Sequence, residues 1–324
     1  DLHLCDRRQR QMCIRDSDSP MPTFLLYSLK AAGCLAVFYL FYKLLLSRDT
    51  LHRMNRVLLC GVLLLSFLLP LCVITVEKEL PGVSAAGIDV IPENYFRRDM
   101  VFENRIPDDT RDLMITEEPE PAPEPFDWGV LLGIIYFAGV FATLGWTVCN
   151  IVRVVRMTRR GQRIPLGNGS VLVLSDRIRA PFSWMRYVVM SEEDYACGGG
   201  TILVHEQAHQ RLGHSWDLLL VDLLGCLQWF NPAMWLLRRE LRAIHEYEAD
   251  EAVLDSGVDA RSYQMLLIKK AAGGRWYSIA NSFNHSKLKN RITMMLRKKS
   301  SRWAGARALL LLPLTAVALG AFAE

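Results

Sequence analysis

Two histidines and a glutamate stand together in the stretch HEQAH, at His205, Glu206 and His209. His205 and His209 are four residues apart, so on a helix their imidazoles share one face and can contact one metal ion. Glu206 lies beside them, where its carboxylate can take a proton from a water molecule at that ion. The pattern predicts a hydrolytic zinc site, which needs a third protein ligand and an open fourth position.

His214 is the nearest further histidine, but it is a poor third ligand. It lies five residues after His209, about 140° around a helix, and cannot reach the same ion without a break in that helix. No proline interrupts residues 201–227, which predicts one continuous helix there. We interpret His214 with Asp217, three residues on, as a polar pair that supports the site. The metzincin pattern is excluded, because it needs glycine at Leu212 and histidine at Ser215.

Better candidates follow an Asn-Pro turn, in FNPAMWLLRRELRAIHEYEADEAVL, which predicts a second helix. Glu246 and Asp250 share one face of it, and Ala249 is small enough to let it approach the first helix closely. Glu246 would then complete a three-ligand site. Its alternative is a surface pair with Arg242 at the i, i+4 spacing. Other carboxylates of this segment compete as ligands: Glu240, Glu248 and Glu251.

Long apolar stretches must hold these helices, since 51% of the 324 residues are hydrophobic. Four stretches are close to the ~20 residues that cross a bilayer as a helix: 24–46, 57–76, 128–152 and 304–322. They predict an integral membrane protein. A fifth apolar stretch, 216–230, contains Asp217 and Asp222 and is interpreted as a buried or interfacial helix. If it crossed the bilayer, Glu246 and His205 would lie on opposite sides.

Basic residues predict the orientation, because they accumulate on the cytoplasmic side of spans. They fill the link between the first two spans, at Arg48, His52, Arg53 and Arg56. They also follow the third span, at Arg153, Arg156, Arg159, Arg160 and Arg163. The acidic, proline-rich EEPEPAPEPF predicts an extended external spacer. Residues 162–302 are therefore expected in the cytoplasm, and the net charge of +4 reflects topology rather than nucleic-acid binding.

These patterns predict six segments along the chain. They are a non-native or disordered leader (1–20), two transmembrane helices (21–76), an external acidic loop (77–127), a third transmembrane helix (128–152), a cytoplasmic zinc metalloprotease domain (153–302) and a fourth transmembrane helix (303–324). A chain cut short after Glu324, with a sensor or other module beyond it, is also expected.

Short β-branched runs open the cytoplasmic segment. VLVLS (171–175) and RYVVM (186–190) flank APFSW and predict a small hairpin or sheet. The part around Pro181 is expected to offer an edge strand along which an extended substrate lies. Proline at Val188 or Val189 would test that hypothesis.

Four motifs in order, ILVHEQAHQRLGHSWDLL, WFNPAMW, HEYEADEAV and FNHSKLKNRITMM, resemble the BlaR/MecR-type membrane metallopeptidases. The resemblance extends from Met21 to the chain end. It implies a cytoplasmic zinc protease among membrane helices, which in the best-known members is switched on by an external sensor to inactivate a transcriptional repressor. The SKLK at 286–289 is followed by neither SDN nor KTG, so beta-lactam sensing is not implied.

The ExxAD element is also similar to that of the CAAX prenyl protease type of membrane peptidases, in which the glutamate is the third zinc ligand. Glu246 is the matching residue. That type has a late histidine, leucine and Arg-Ile, matched here by His285, Leu288, Arg291 and Ile292. Its proline after the histidine is Ser286 here. The resemblance implies that Arg291 supports the Asp/Glu side of the site or the oxyanion.

The expected fold is a mainly α membrane protein, with four transmembrane helices and a cytoplasmic α+β zincin-like (gluzincin) metalloprotease domain. The expected activity is that of a zinc endopeptidase of the bacterial inner membrane, which cleaves a protein or peptide, such as a repressor, and binds lipid but no nucleic acid directly. Alternatives are a quality-control protease and a non-catalytic transducer or scaffold. Glu206 is the predicted catalytic residue and Zn²⁺ the cofactor, held by His205, His209 and Glu246. The predicted supporting residues are Asp250, His214, Asp217 and Arg291.

Overall fold

The computed structural model describes residues 20–72, 127–167, 169–176, 178, 180–196, 199–272 and 280–320. The predicted leader and nearly all of the predicted external loop lie outside the described residues. So do the end of the second predicted span, the end of the fourth and the side chain of His285.

Three described helices are long and apolar enough to cross a membrane. They are α1 (Pro20–Leu45), α2 (His52–Leu68), which a 3-10 turn at Leu69–Leu71 extends, and α3 (Trp128–Arg160). These correspond to the first three predicted spans. The fourth predicted span contains a 3-10 segment (Arg302–Leu310) and the short helix α10 (Leu311–Gly320). The apolar helical part, Gly305–Gly320, falls short of the ~20 residues that span a bilayer, so the fourth span stays a prediction.

A four-stranded sheet follows α3, with strands β1 (Gln162–Leu166), β2 (Ser170–Leu174), β3 (Phe182–Trp184) and β4 (Tyr187–Met190) in the order β1-β2-β4-β3. The two β-branched runs are parallel neighbours, β2 and β4, rather than the two arms of a hairpin. β3 pairs antiparallel with β4 and forms one edge of the sheet. Val188 and Val189 are fully buried inside the sheet, so proline there would break the core and would not test the edge.

Six helices follow the sheet in the described part of the chain: α4 (Glu192–Ala196), α5 (Gly199–Arg211), α6 (His214–Leu227), α7 (Pro232–Asp255), α8 (Ala260–Ala272) and α9 (Ala280–Leu296). The single helix predicted for 201–227 is wrong, because Gly213 adopts a left-handed conformation (φ 73°) and separates α5 from α6. Asn231 caps α7 by accepting a hydrogen bond from the Ala233 N–H, with proline at the first helical position.

The turn between α6 and α7 packs against two of the candidate spans. The Gln228 amide donates to the Ser28 carbonyl on α1 (3.0 Å), and the Tyr136 hydroxyl on α3 donates to the Leu227 carbonyl (2.8 Å). The Trp229 indole N–H donates to the Tyr136 carbonyl (3.3 Å). These bonds satisfy backbone and side-chain polar groups of the turn, as burial requires. The chain reverses there, so α6 does not carry α7 away from α5.

A common apolar core joins the first half of α7 to α1 and α2. Its fully buried side chains include Leu237 and Leu241 of α7, Leu35 and Phe38 of α1, and Leu59 and Leu63 of α2. The second half of α7 packs against α5 instead, and Ala249 in that half has no exposed surface. The helix α7 therefore links the apolar core that it shares with α1 and α2 to α5, the helix that carries HEQAH.

Candidate metal centre

Three predicted ligands meet where α5 crosses α7. The Nε2 atoms of His205 and His209 are 3.2 Å apart. Glu246 lies 3.6 Å from His205 Nε2 and 3.8 Å from His209 Nε2 through its two carboxylate oxygens. Ligands bound tetrahedrally at ~2.0–2.1 Å from zinc are about 3.3–3.5 Å apart. The ligand atoms all fall within 4.8 Å of one another, so this His-His-Glu group could bind a metal ion.

Glu206 lies beside this group and is 8% exposed. Burial raises the pKa of its carboxyl, while the charge on His205 and a hydrogen bond with Ser183 of β3 act in the opposite direction. A raised pKa suits a carboxyl that must accept a proton and then return it. The contact with Ser183 also places Glu206 against the edge strand of the sheet.

His205 is held from behind by a group that we name the His205 relay: Asp250, Tyr263 and Arg291. The Tyr263 hydroxyl donates to Asp250 Oδ1 (2.7 Å) and lies 2.9 Å from His205 Nδ1. Because a hydroxyl has a single proton, Tyr263 must accept from His205 Nδ1–H. Asp250 Oδ1 is itself 3.4 Å from Nδ1, close to the predicted contact between Asp250 and an imidazole. In its neutral form, His205 therefore directs the lone pair of Nε2 towards His209 and Glu246.

Arg291 of α9 binds both carboxylates of α7. Its Nε donates to Asp250 Oδ2 (2.9 Å), and its Nη1 lies 2.9 Å from Glu246 Oε2. Arg291 thus contacts the two carboxylates that it was predicted to support, and its functional role stays a prediction, whereas Glu246 pairs with Arg291 rather than with Arg242 in the described structure. Partial desolvation by the surrounding protein would raise the pKa of Glu246, but the hydrogen bond with His205 and the charge of Arg291 hold that pKa well below its ordinary value.

A second group, which we name the His209 relay, lies behind His209: His214, Glu248 and Arg56. His209 Nδ1 and His214 Nδ1 are 2.7 Å apart, and His214 Nε2 lies 2.7 Å from Glu248 Oε2. Glu248 in turn accepts from Arg56 Nη1 (3.3 Å). His214 and Glu248 are 2% and 4% exposed, so this chain is nearly closed to solvent.

His214 and Asp217 do not form the predicted pair. The break at Gly213 turns His214 towards His209 and Glu248, whereas Asp217 binds Arg56 and His245 (3.0 Å from His245 Nε2). The competing carboxylates also have other partners. Glu240 binds Lys43, Glu251 binds Lys299 and Glu248 belongs to the His209 relay.

The two imidazoles have opposite proton affinities. Burial lowers the pKa of His205, but its hydrogen bonds with Asp250 and Glu246 outweigh burial and raise that pKa to about 9. Burial and the nearby His205 charge lower the pKa of His209 to about 3. The group therefore favours one positive charge between the two Nε2 atoms, where a proton or a metal cation would stabilise their facing lone pairs.

Residues 171–295 match the family model of the BlaR1 peptidase M56. The chain therefore carries a BlaR1-type M56 peptidase domain. This confirms the resemblance to the BlaR/MecR-type membrane metallopeptidases. Among curated proteins, none matches the chain. Three candidate spans lie outside the matched region, so the match and the spans together support a membrane protein with a metallopeptidase-type domain.

The M56 match covers the sheet from β2 onward and α4 to nearly the end of α9. It includes Glu206, the three candidate ligands, the whole His205 relay and two members of the His209 relay. Arg56 lies outside it, on α2. Sequence reasoning missed Arg56, Tyr263 and His245 as parts of the site. Arg56 was interpreted as an orientation signal, and Tyr263 lies on a separate helix with no motif around it.

Proposed function

We propose that this chain is an integral membrane zinc endopeptidase of the bacterial inner membrane. Its M56 domain would face the cytoplasm and, once activated by a signal, cleave a cytoplasmic protein such as a transcriptional repressor. The observation that carries the proposal is the convergence of His205, His209 and Glu246 beside the buried carboxyl of Glu206. The orientation rests on the basic residues around the first three candidate spans.

The donor set fits zinc, because two imidazole nitrogens and one carboxylate are ligands that catalytic zinc sites use. The two relays give both imidazoles the same arrangement. Nδ1–H donates to a residue of the relay, and the Nε2 lone pair faces the other ligands. The Glu246 side chain is 40% exposed, so the group is open to solvent on one side. Solvent and a substrate can approach from that side.

A bound zinc ion would act as a Lewis acid that acidifies a water molecule and polarises the scissile carbonyl. Glu206 would accept the proton of the attacking water and deliver it to the leaving amine. Arg291 holds Glu246 and Asp250 in place while the charge at the site changes. Burial of Glu206 and His205 limits the exchange of these protons with bulk water.

The edge strand β3 offers a binding site for the substrate main chain. It lies beside α5, with Ser183 in contact with Glu206, and in the described sheet it pairs only with β4. An extended peptide can add to such an edge through main-chain hydrogen bonds. Cleavage of a peptide methylated at successive backbone nitrogens measures this. Undiminished cleavage at every position would remove the edge-strand hypothesis.

The test is cleavage by the full chain, produced in bacteria as wild type and as Glu206→Gln. New protein N-termini in the two cultures are labelled and compared. The proposal expects a small set of cytoplasmic cleavage sites that Glu206→Gln abolishes and that a zinc chelator suppresses in membranes. Many sites in unrelated membrane proteins would favour a quality-control protease. Identical sets of termini, under every inducing condition tried, would favour a non-catalytic transducer.

A further inference from the structure

Arg56 is an arginine on a candidate membrane span whose three bonds all lead to the M56 domain. Its Nε donates to Asp217 of α6, its Nη1 to Glu248 of α7 and its Nη2 to the carbonyl of Leu212 (2.7 Å). Leu212 directly follows α5, the helix of the two histidine ligands. One guanidinium thus fixes parts of three helices. Arginine alone provides this many donors in a fixed planar arrangement.

The proton donors along the His209 relay all follow one direction. Glu248 Oε2 lies 3.3 Å from Arg56 Nη1, which can only donate, and 2.7 Å from His214 Nε2. The oxygen therefore accepts from both, and His214 donates through Nε2–H. A neutral His214 then has an unprotonated Nδ1, 2.7 Å from His209 Nδ1. His209 must therefore donate through Nδ1–H, which leaves its Nε2 lone pair facing the other ligands. The guanidinium thereby determines which nitrogen of His209 can bind a metal ion.

Burial removes the alternatives to this arrangement. His214 and Glu248 are almost fully buried, so water cannot easily replace a lost partner. His214 also stacks on His245, with ring centroids 4.0 Å apart and planes 9° apart, which holds its ring in one orientation. Glu248 Oε1 has no hydrogen-bond partner in the described structure, so Oε2 alone links His214 to Arg56.

We propose that Arg56, on the second candidate membrane helix, is a positioning residue for the metal ligand His209, acting through Glu248 and His214. The inference rests on the metal site of the proposed function. The inference also gives α2 a role in orienting a metal ligand, in addition to its role as a candidate membrane span. A displacement of α2 relative to α5 and α7 would break the hydrogen bonds of the His209 relay and weaken the metal site.

The experiment measures zinc affinity rather than cleavage, by competition with a chromophoric chelator, on the full chain in detergent. Arg56→Gln removes the charge and most of the donors. Arg53→Gln is the matched control, because Arg53 is an exposed arginine near the start of α2, three residues before Arg56. Loss of a residue that orients a ligand through a hydrogen bond typically costs about 10- to 100-fold in metal affinity. We expect that loss for Arg56→Gln, a smaller one for Arg56→Lys, and none for Arg53→Gln.

A double-variant cycle separates positioning from general stability. His214→Phe keeps a ring but removes both nitrogens of the relay, so it should weaken zinc binding by itself. In the His214→Phe background, Arg56→Gln should then cost less than about threefold, since neighbours in one network are not additive. Equal losses in both backgrounds would overturn the proposal, because Arg56 would then act by another route.

Other outcomes are equally informative. Wild-type zinc affinity in folded Arg56→Gln overturns the proposal. If Arg56→Gln does not fold, Glu248→Gln takes its place, with the same expected loss of affinity, and unchanged affinity there has the same meaning. The visible spectrum of the cobalt-substituted chain gives a second measure, since it should change in these variants and stay unchanged in Arg53→Gln. A wild type that binds no zinc overturns the metal site itself, whereas a zinc-binding wild type with insensitive variants overturns only the role of Arg56.

Discussion

The two histidine ligands are supported in different ways. The His205 relay is branched, because Asp250 lies 3.4 Å from His205 Nδ1 and is also connected to it through Tyr263, while Arg291 holds both Asp250 and Glu246. In the His209 relay, the hydrogen bonds to His209 run in a single line through His214 and Glu248 to Arg56, and His214 also stacks on His245. All members of the His205 relay lie within the M56 match, whereas the His209 relay ends outside it, on α2.

This difference indicates separate tasks for the two sides. A branched network keeps its ligand oriented when one bond weakens, and it is suited to holding the ion. A line of single bonds passes any change at its end to the ligand, and it is suited to coupling. Arg56 of α2 lies at the end of this line, so the proposal makes the geometry of His209 depend on α2, whereas no member of the His205 relay lies on α2.

The largest expected effect is on the rate of cleavage. It distinguishes the proton-transfer role of Glu206 from the ligand-orienting roles of the two relays. Glu206→Gln should lower cleavage by about 10²- to 10⁴-fold, because it removes the group that accepts and returns the proton. Zinc affinity should stay near that of the wild type, since neither relay changes. Cleavage rate and zinc affinity are measured on the same preparations, with exposed Glu193→Gln as the control. A matching loss of zinc would make Glu206 a ligand and contradict the assignment.

Substituting Asp250, the residue of the His205 relay that both Arg291 and Tyr263 bind, should have the next largest effect. Asp250→Asn removes the carboxylate that Arg291 and Tyr263 share, and zinc affinity should fall by about 10- to 100-fold. Asp255→Asn, an exposed aspartate at the end of the same helix, is the control and should bind zinc like the wild type. Competition with a chelator measures both. An Asp250→Asn variant with normal affinity would show that His205 needs no support from behind.

A smaller effect is expected when one branch of the His205 relay is removed. Tyr263→Phe deletes the hydroxyl, yet Asp250 remains 3.4 Å from His205 Nδ1 and can take over the hydrogen bond. We therefore expect a loss of zinc affinity well below the ~10- to 100-fold typical of an orienting residue. Exposed Tyr195→Phe is the control. A loss in Tyr263→Phe as large as in Asp250→Asn would mean that this relay is also a single line.

The smallest effect on the metal site is expected from a substitution that disturbs the packing of α3, away from Arg56. A Cβ on Gly139 of α3 would clash with the Trp229 ring, whereas a Cβ on Gly145 would have no atom within 4 Å. Gly139→Val should lower the free energy of unfolding by about 1–3 kcal/mol because it overpacks this contact, and Gly145→Val should leave that free energy unchanged. Zinc affinity should change less than about twofold in both. Thermal unfolding in detergent and chelator competition check this, and a large loss of zinc in Gly139→Val would show coupling through α3 too.

The sequence predicted the parts of the site that follow a helical period. His205 with His209 and Glu246 with Asp250 each lie at i, i+4 on one helix, and that spacing determines which side chains share a face. The short apolar length of 216–230 together with its aspartates predicted a helix that does not span the membrane, and the helix found there, α6, is 14 residues long. Hydropathy predicted α1 to α3 for the same reason, since length and composition suffice for a span.

Tertiary contacts decided the rest. A single left-handed glycine, Gly213, turned His214 out of the expected helix and gave it a different partner from Asp217. Tyr263 and Arg56 reach the site from helices far away in the chain, and no local pattern marks such residues. The parallel pairing of β2 with β4 likewise depends on the connection between them and not on either strand alone.

The central claim is that His205, His209 and Glu246 hold one zinc ion. The most direct measurement is zinc content per chain in detergent, for the wild type, Glu206→Gln and Glu246→Ala purified side by side. We expect about one zinc in the wild type and in Glu206→Gln, and a clear loss in Glu246→Ala. A wild type that takes up no zinc when metal is supplied to the folded protein, or a Glu246→Ala variant that keeps its zinc, would contradict it.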